Sequence, residues 1–497
     1  MSKQRLSPST AQLVLSAISG VAAILALYGD ILAQATPVGL DGYYYVLQVE
    51  ALLRDGAPQY PTPFLFPALL MTGVSVLVGD ATMGIKIFAL VIAAALSVAI
   101  FVAVRRGTGS AFAGALGQLI WIVHTSTAYY VVEYINNMFG LAMFALMVLA
   151  DIHARQDPHQ AGGAAWYIRV AAGGAAVVSH RMSAGLVLLY FAVKLLLRYA
   201  RGSHLLALAT WVLPLFTLVV MALQQGFAPP GMRVAVAREL SSVPFRELFA
   251  PSILFGTVLL ISTIVPIALD AVRQARSRVA LGVPRLEWLA LSGVVVLVLL
   301  NPWLKYDTGL QSIAARLRLA EGVFLGLLLP VSLTIRWRQD PRRRLLLVGA
   351  LIVVVALFRT GRSPAGSRAT FLDQQSQMLR EVNDLRRELP QGSVIVAQHG
   401  FEYAITHRLG MDAVSGRESL SHVPADRVWW LLRRSEAGTR LAKPESLVGQ
   451  QWMLVRDDVC AKWLSELPVG ERSLVIGNNP FHLGRYLRYH RRDPLGS

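Results

Sequence analysis

Runs of about 20 consecutive apolar residues recur along this chain, and each is long enough to cross a hydrocarbon core about 30 Å thick. They begin at residue 11 and return as far as residue 357 of a 497-residue sequence. No soluble fold needs so many. Hydrophobic residues make up 54% of the chain and charged residues only 15%, against about 25% charged in soluble proteins. Inside lipid the backbone must satisfy its own hydrogen bonds, so such segments fold as helices. The formal charge of +17 would suit a nucleic-acid partner, but Lys and Arg fall mostly in short loops between apolar spans. That pattern orients a protein in a membrane and does not track phosphates, so no nucleic-acid partner is expected. The single cysteine, Cys460, excludes an intramolecular disulfide.

The basic loops thread the chain. The N-terminus carries Lys3 and Arg5 and is placed in the cytoplasm. Segment 11–33 exceeds the 7–15 apolar residues usual in a cleaved signal, so it reads as an uncleaved signal anchor, although Ala33-Gln34-Ala35 resembles a weak cleavage site. Spans follow at 84–104, 110–128, 138–152, 165–179, 183–199, 205–224, 250–271, 286–302, 319–335 and 345–358, about eleven crossings in all. Segment 64–79 is apolar, but it opens with Pro61, Pro63 and Pro67. If it crossed fully, Arg105-Arg106 would land outside, so it reads as a juxtamembrane or re-entrant piece on the outer face. The membrane domain is then 1–360, with outer loops 34–83, 129–137, 225–249 and 303–318. Residues 365–497 form a tail outside the membrane. In the tail, 371–389 reads as a polar helix and Pro390-Gln391-Gly392 as a turn. Segments 393–397, 427–432 and 451–455 read as strands, with a short helix over 401–409. The expected fold is an all-α polytopic membrane protein with a small C-terminal extracytoplasmic α/β domain. The expected location is a bacterial inner or plasma membrane.

Ionisable residues at membrane boundaries are costly and mark candidate sites. Beyond the first span comes Gly39-Leu40-Asp41-Gly42-Tyr43-Tyr44-Tyr45. From Tyr43 on, Val46, Val49, Leu52 and Leu53 share a helical face and Gly56 stops the helix. This predicts an amphipathic helix on the membrane surface with Asp41 as its cap. Glu133 stands in the next outer loop, and His180-Arg181 ends the fifth span. Lys305, Tyr306, Arg316 and Arg318 cluster before the tenth span. Arginine grips phosphate bidentately and steadies charge developing on it. A carboxylate takes a proton from an acceptor hydroxyl. Capping, snorkelling and interfacial anchoring are the competing structural readings of the same residues.

This arrangement resembles the GT-C superfamily of membrane glycosyltransferases, which includes the oligosaccharyltransferase catalytic subunit, the protein O-mannosyltransferases and the lipid A aminoarabinose transferase. The likeness rests on one span followed by an acidic residue (Asp41), a surface helix ending at Gly56, the proline-rich segment 61–79, and a second acidic residue (Glu133) in the next outer loop. The resemblance implies transfer of a sugar from a polyprenyl-phosphate-linked donor to a glycan, lipid or protein acceptor on the extracytoplasmic side. It implies catalytic roles for Asp41 and Glu133. Tyr43, Tyr44, His180, Arg181, Lys305, Tyr306, Arg316 and Arg318 are the candidates for donor and phosphate binding. A divalent metal held by Asp41 and Glu133 is an alternative, but a metal-using relative would show an acidic pair where Glu133 stands alone, so none is expected. The Trp-Trp-Asp motif of the oligosaccharyltransferase subunit is absent, since Leu431 follows Trp429-Trp430. The rival readings are a lipid-linked glycan polymerase or ligase, a transporter or flippase of such glycans, and a scaffold displaying the tail. Transport would call for charges paired across helices within the spans.

Overall fold

The structure is a computed structural model. It describes residues 8–156 (apart from 38, 40, 61 and 63), 163–199, 263–270, 285–299, 320–336, 364–397, 400–414, 423–433, 446–449 and 451–457. The expected spans at 205–224 and 345–358, and most of 250–271, lie outside the described residues. The chain divides into two units: residues 1–35 with 55–363, and residues 36–54 with 364–497.

The first unit is helical: α1 (Pro8–Tyr28), α3 (Leu65–Val78), α4 (Ala81–Thr108), α5 (Ala111–Val123), α6 (Thr125–Val132), α7 (Ile135–Gln156), α8 (Ala164–Ser179), α9 (Arg181–Tyr199), α10 (Arg285–Leu299) and α11 (Glu321–Arg336). α2 (Gly42–Asp55) belongs to the second unit. Three stretches among the described residues are long and apolar enough to cross a membrane: Thr10–Ala33, Ala81–Thr108 and Ile135–Ala154. Their outward faces are greasy. Leu15, Ile18 and Leu25 of α1 and Val91 of α4 are exposed, as suits helices bathed in lipid rather than water. This is the build of a helical membrane protein.

Local chemistry sets the helix ends. Asp80 Oδ1 accepts from Met83 N at 2.6 Å and opens α4, while Gly109 (φ +74) closes it with Arg105 and Arg106 in the last turn. A left-handed residue there favours glycine, and the two cations suit the negative end of the helix dipole. The apolar run expected as one span over 110–128 is broken at His124. Its ψ of 140° is extended and its Nδ1 accepts from Ser126 N at 3.1 Å, so α5 ends and α6 begins. α3 has 14 residues, a length of about 21 Å, too short to cross alone. The Phe64 ring before its first turn lies 5.3 Å from the His180 ring, and Phe66 lies 5.8 Å from Phe139 near the start of α7. Its last turn packs Ser75 against the first turn of α4. Both ends of α3 therefore lie toward the end of the bundle where α4 and α7 begin.

Between helices, a few polar ties run through the apolar interior, where they are directional. Ser16 Oγ donates to Gln118 Oε1 at 3.0 Å, and Gln118 Nε2 donates back to the Ser16 carbonyl at 2.9 Å. Tyr28 donates to the Ile122 carbonyl and Trp121 Nε1 to that of Ala93. Lys86, buried in α4, donates to the Gln34 carbonyl and ties the exit of α1 to α4. α5 and α11 meet backbone to backbone at Gly117 and Gly326.

The second unit is built on a five-stranded sheet of β1 (Val394–Val396), β2 (Ala413–Val414), β3 (Val428–Arg433), β4 (Ser446–Val448) and β5 (Trp452–Arg456). The strand order is β2-β1-β3-β5-β4, parallel across β2-β1-β3 and antiparallel beyond. α12 (Pro364–Leu385) and α13 (Phe401–Leu409) cover one face. Ile395, Ala397, Trp429, Leu431, Trp452 and Leu454 alternate onto that face and meet Met378, Val382, Phe401 and Ile405. β1, β3, β5 and both helices overlap the expected elements, while β2 and β4 were not among the expected strands. Glu381 of α12 accepts from Gln451 N and Trp452 N, both at 2.9 Å, and fastens the β4–β5 hairpin. Trp430 Nε1 donates to Asp457 at 2.7 Å on the opposite face, so both tryptophans of the pair serve the sheet.

The Gly117–Gly326 crossing generates a prediction. A methyl on Gly326 would meet the Gly117 carbonyl oxygen at 2.9 Å, so Gly326→Val forces α5 and α11 apart at a cost of about 1–3 kcal/mol. Gly174, with open space around it, should accept Ala with no loss. Melting temperature in detergent separates the two.

Candidate functional site

Asp41 sits between two glycines, and the geometry explains both. Gly39 has φ +86°, and Gly42 donates its N–H to the Gly39 carbonyl at 3.3 Å, closing a tight turn. A side chain on Gly42 would press within 3.0 Å of Pro37. Tyr45 N donates to the Asp41 carbonyl at 3.1 Å, so Asp41 is the residue from which α2 starts. Its carboxylate is half-buried. α2 ends at Asp55, and Gly56 (φ +68) stops it as expected.

The destination of α2 differs from expectation. Its apolar stripe was expected to rest on a membrane surface within outer loop 34–83. Val46, Val49 and Leu52 are buried, but so is Tyr43, at 1% exposure, in the core of the α/β unit. The Tyr43 ring lies 5.3 Å from His407, and Tyr44 lies 5.3 Å from Tyr403. Glu50 Oε1 accepts from His407 Nε2 at 3.2 Å. α13 supplies both partners, so this side of the helix finds protein instead of lipid. Burial pushes the Tyr43 phenol pKa up, with Arg408 pulling it the other way, and the phenol stays neutral. Tyr43 thus serves packing.

In the helical unit, one end gathers several of the expected residues. Glu133 is the C-cap of α6, with its N–H on the Tyr129 carbonyl at 2.7 Å and its side chain half-buried. Tyr130 and Tyr134 lie edge to face beside it, and Asn137 is buried one turn on. His180 is the single non-helical residue between α8 and α9. Its Nδ1 accepts from Met182 N at 3.1 Å and its ring meets Phe64. It caps a helix, while Arg181 beside it is exposed. Gly140 of α7 packs against Ser183 and Ser179 at the same joint. Asp41 belongs to the second unit and Glu133, His180 and Arg181 to the first. Lys305, Tyr306, Arg316 and Arg318 lie outside the described residues. Among the described residues no group of three or more His, Cys, Asp and Glu side chains is placed to hold a metal ion.

At the other end of the helical unit lies a cluster that the sequence reading missed. Asp151 of α7 is bridged by Lys194 of α9 and bonded by Arg169 of α8 at 3.2 Å and by Tyr190 at 3.0 Å. Lys194 also lies 3.5 Å from Glu287 in the first turn of α10. Asp151, Lys194 and Glu287 are all 2% exposed or less. Two carboxylates and two cations balance. Nearby, Arg106 at the end of α4 pairs with His153, and Gly107 packs against Trp288. The expected spans 138–152 and 183–199 run through Asp151 and Lys194 without assigning either a role. The signal available was their distance from the helix ends: each sits five residues inside, where a charge must face protein.

No protein-family model matches this chain, and no curated protein matches it in sequence.

Breaking the cluster should unfold the helical unit. Removing one partner of a buried pair strands the other, at about 3–5 kcal/mol. Lys194→Met is expected to abolish a monodisperse peak in detergent chromatography, whereas Lys194→Met combined with Asp151→Asn should recover part of it. Equal yields for both would show the charges to be independent.

Proposed function

We propose that this protein is a membrane glycosyltransferase that moves a sugar from a polyprenyl-phosphate-linked donor to an acceptor on the extracytoplasmic side. The observation that carries the reading is Asp41: a half-buried carboxylate held between Gly39 and Gly42, shortly after the first apolar helix, on a unit built like a water-soluble α/β domain. In a single displacement the Asp41 carboxylate takes the acceptor's O–H proton as the acceptor oxygen bonds to the anomeric carbon. The bond from that carbon to the phosphate oxygen breaks, and its electron pair leaves on the polyprenyl phosphate. Arg316, Arg318 and Lys305 are the proposed holders of that phosphate, with Arg181 as the second choice. Glu133 is the second carboxylate. The expected membrane is a bacterial inner membrane with about eleven crossings, the N-terminus inside and the α/β unit outside.

A specific observation favours a second reading, transport of a lipid-linked glycan. The Asp151–Lys194–Glu287 cluster is paired across helices, as transport pathways are. Against it, the cluster is charge-balanced and sits toward the helix ends, where a fixed tie is sufficient.

Asp41→Asn keeps a good helix cap and is expected to lower sugar transfer about 10²–10⁴-fold, measured with purified protein, a polyprenyl-phosphate-linked sugar and a glycan acceptor. Full transfer in that variant returns Asp41 to a capping role. Lipid-linked glycan crossing proteoliposome membranes without transfer products would favour transport.

Orientation is tested separately. In a Cys460→Ser background, a cysteine replacing the exposed Gln391 should react with an impermeant maleimide from the outer side, and one replacing the exposed Arg106 only from the cytoplasmic side. The opposite labelling pattern would invert the orientation and remove the extracytoplasmic reaction.

A further inference from the structure

The α/β unit holds the helix that begins at Asp41, and it does so through one residue met from two turns. Tyr43 and Glu50 are seven residues apart on α2, two helical turns on the same face. Both reach His407: the Tyr43 ring at 5.3 Å and the Glu50 carboxylate on Nε2 at 3.2 Å. Tyr403, four residues before His407 and therefore on the same face of α13, takes the Tyr44 ring at 5.3 Å. Five side chains thus set both the rotation and the axial position of α2. At its start, Tyr45 N donates to the Asp41 carbonyl at 3.1 Å, so Asp41 is part of the first turn of α2 and moves with the helix when it rotates.

We propose that His407, Glu50 and Tyr403 are positioning residues for Asp41: the α/β unit presents the reacting carboxylate by clasping α2 against α13. The inference rests on the reading of Asp41 as the base. It assigns the C-terminal unit a part in the reaction itself, beyond displaying a surface. None of the three touches substrate. They act by holding the carboxylate in register with the acceptor hydroxyl, and displacements of about 1 Å in such geometry cost up to about 100-fold in rate. The pair is suited to testing by substitution because Glu50 is 45% exposed and His407 is 20% exposed. Such a pair contributes little to overall stability, so its loss should be read in rate and not in folding.

The experiment uses full-length protein with the polyprenyl-phosphate-linked sugar as donor. Glu50→Gln and His407→Ala are each expected to lower kcat about 10- to 100-fold, with donor KM within about twofold and melting temperature nearly unchanged. The exchanged pair, Glu50→Arg with His407→Glu, places a hydrogen-bonded pair across the same gap and should recover most of kcat. Normal kcat in both single variants overturns the proposal, as does an exchanged pair no better than the singles. A fall in donor affinity or melting temperature that accounts for the lost rate also overturns it. Asp41→Asn is run alongside. If it transfers sugar normally while the clasp variants are slow and the exchange rescues, the Asp41 reading fails and the clasp serves another group on α2. If it is inactive while the clasp variants are normal, the clasp fails and the base stands.

Discussion

A charge removed from water is tolerable only beside its opposite, and the helical unit is organised around one group of charges that obeys this rule. Asp151, Lys194 and Glu287 are almost fully enclosed, with Arg169 at the edge. Each comes from a different helix: α7, α9, α10 and α8. In a low-dielectric interior none can be left behind, because an unpaired carboxylate or ammonium costs several kcal/mol. The four helices can therefore pack in few registers other than the one seen. The smaller features fall in line with that arrangement. Tyr190 is oriented by its bond to Asp151, Gly140 lets α7 close on the α8–α9 joint, and Arg106 meets His153 at the same end as the cluster. That end is also where the basic residues of α4 gather, so one side of the unit is cationic and tightly tied, while Glu133, His180 and the tyrosines of α6 stand at the other.

The second unit solves a different problem. An amphipathic helix must cover its apolar stripe, and lipid or protein will serve equally well on hydrophobic grounds. Tyr43, Tyr44 and Glu50 of α2 meet His407 and Tyr403 of α13, with aromatic rings and one hydrogen bond supplying the specificity that a lipid surface lacks. As a result the carboxylate at the head of the helix is tied to a folded sheet and not to a fluid interface. A reacting group gains from such a mounting, since geometry held in advance is not paid for at the moment of reaction. The proposed clasp is in that sense an extension of the proposed glycosyltransferase: it mounts the proton acceptor on the α/β unit.

Much of this was legible in the residues themselves. Apolar runs declared membrane helices because length and hydropathy alone decide whether a segment can live in lipid. Gly56 marked the end of α2 because a left-handed residue is needed there and glycine accepts it without strain. The short apolar runs in Ser393–Ala397 and in Arg427–Leu432 marked strands because a run of four to eight apolar residues bounded by turns suits a strand covered on both faces. The break at His124 escaped notice, since an apolar run gives no sign that an imidazole will cap the next helix. Asp41 stood out because a carboxylate beside tyrosines just beyond a span is rare enough to notice.

What only the tertiary structure decided is which surfaces meet. The stripe on α2 is equally compatible with a membrane and with a protein core, and periodicity cannot choose between two apolar partners. Lys194 stands near a helix end, within an expected span. Its pairing with Asp151 and Glu287 depends on helices separated by 43 and 93 residues in the chain, and nothing local encodes that distance. Tyr43 shows the same limit within one residue: its sequence neighbours suggested an interfacial anchor, and its burial against His407 made it core. Sequence by itself determined the membrane class, the end of α2 at Gly56 and the strands β1, β3 and β5, because those follow from local hydropathy and backbone preference. The ion cluster and the mounting of Asp41 are long-range pairings, and they exist only once the chain has packed.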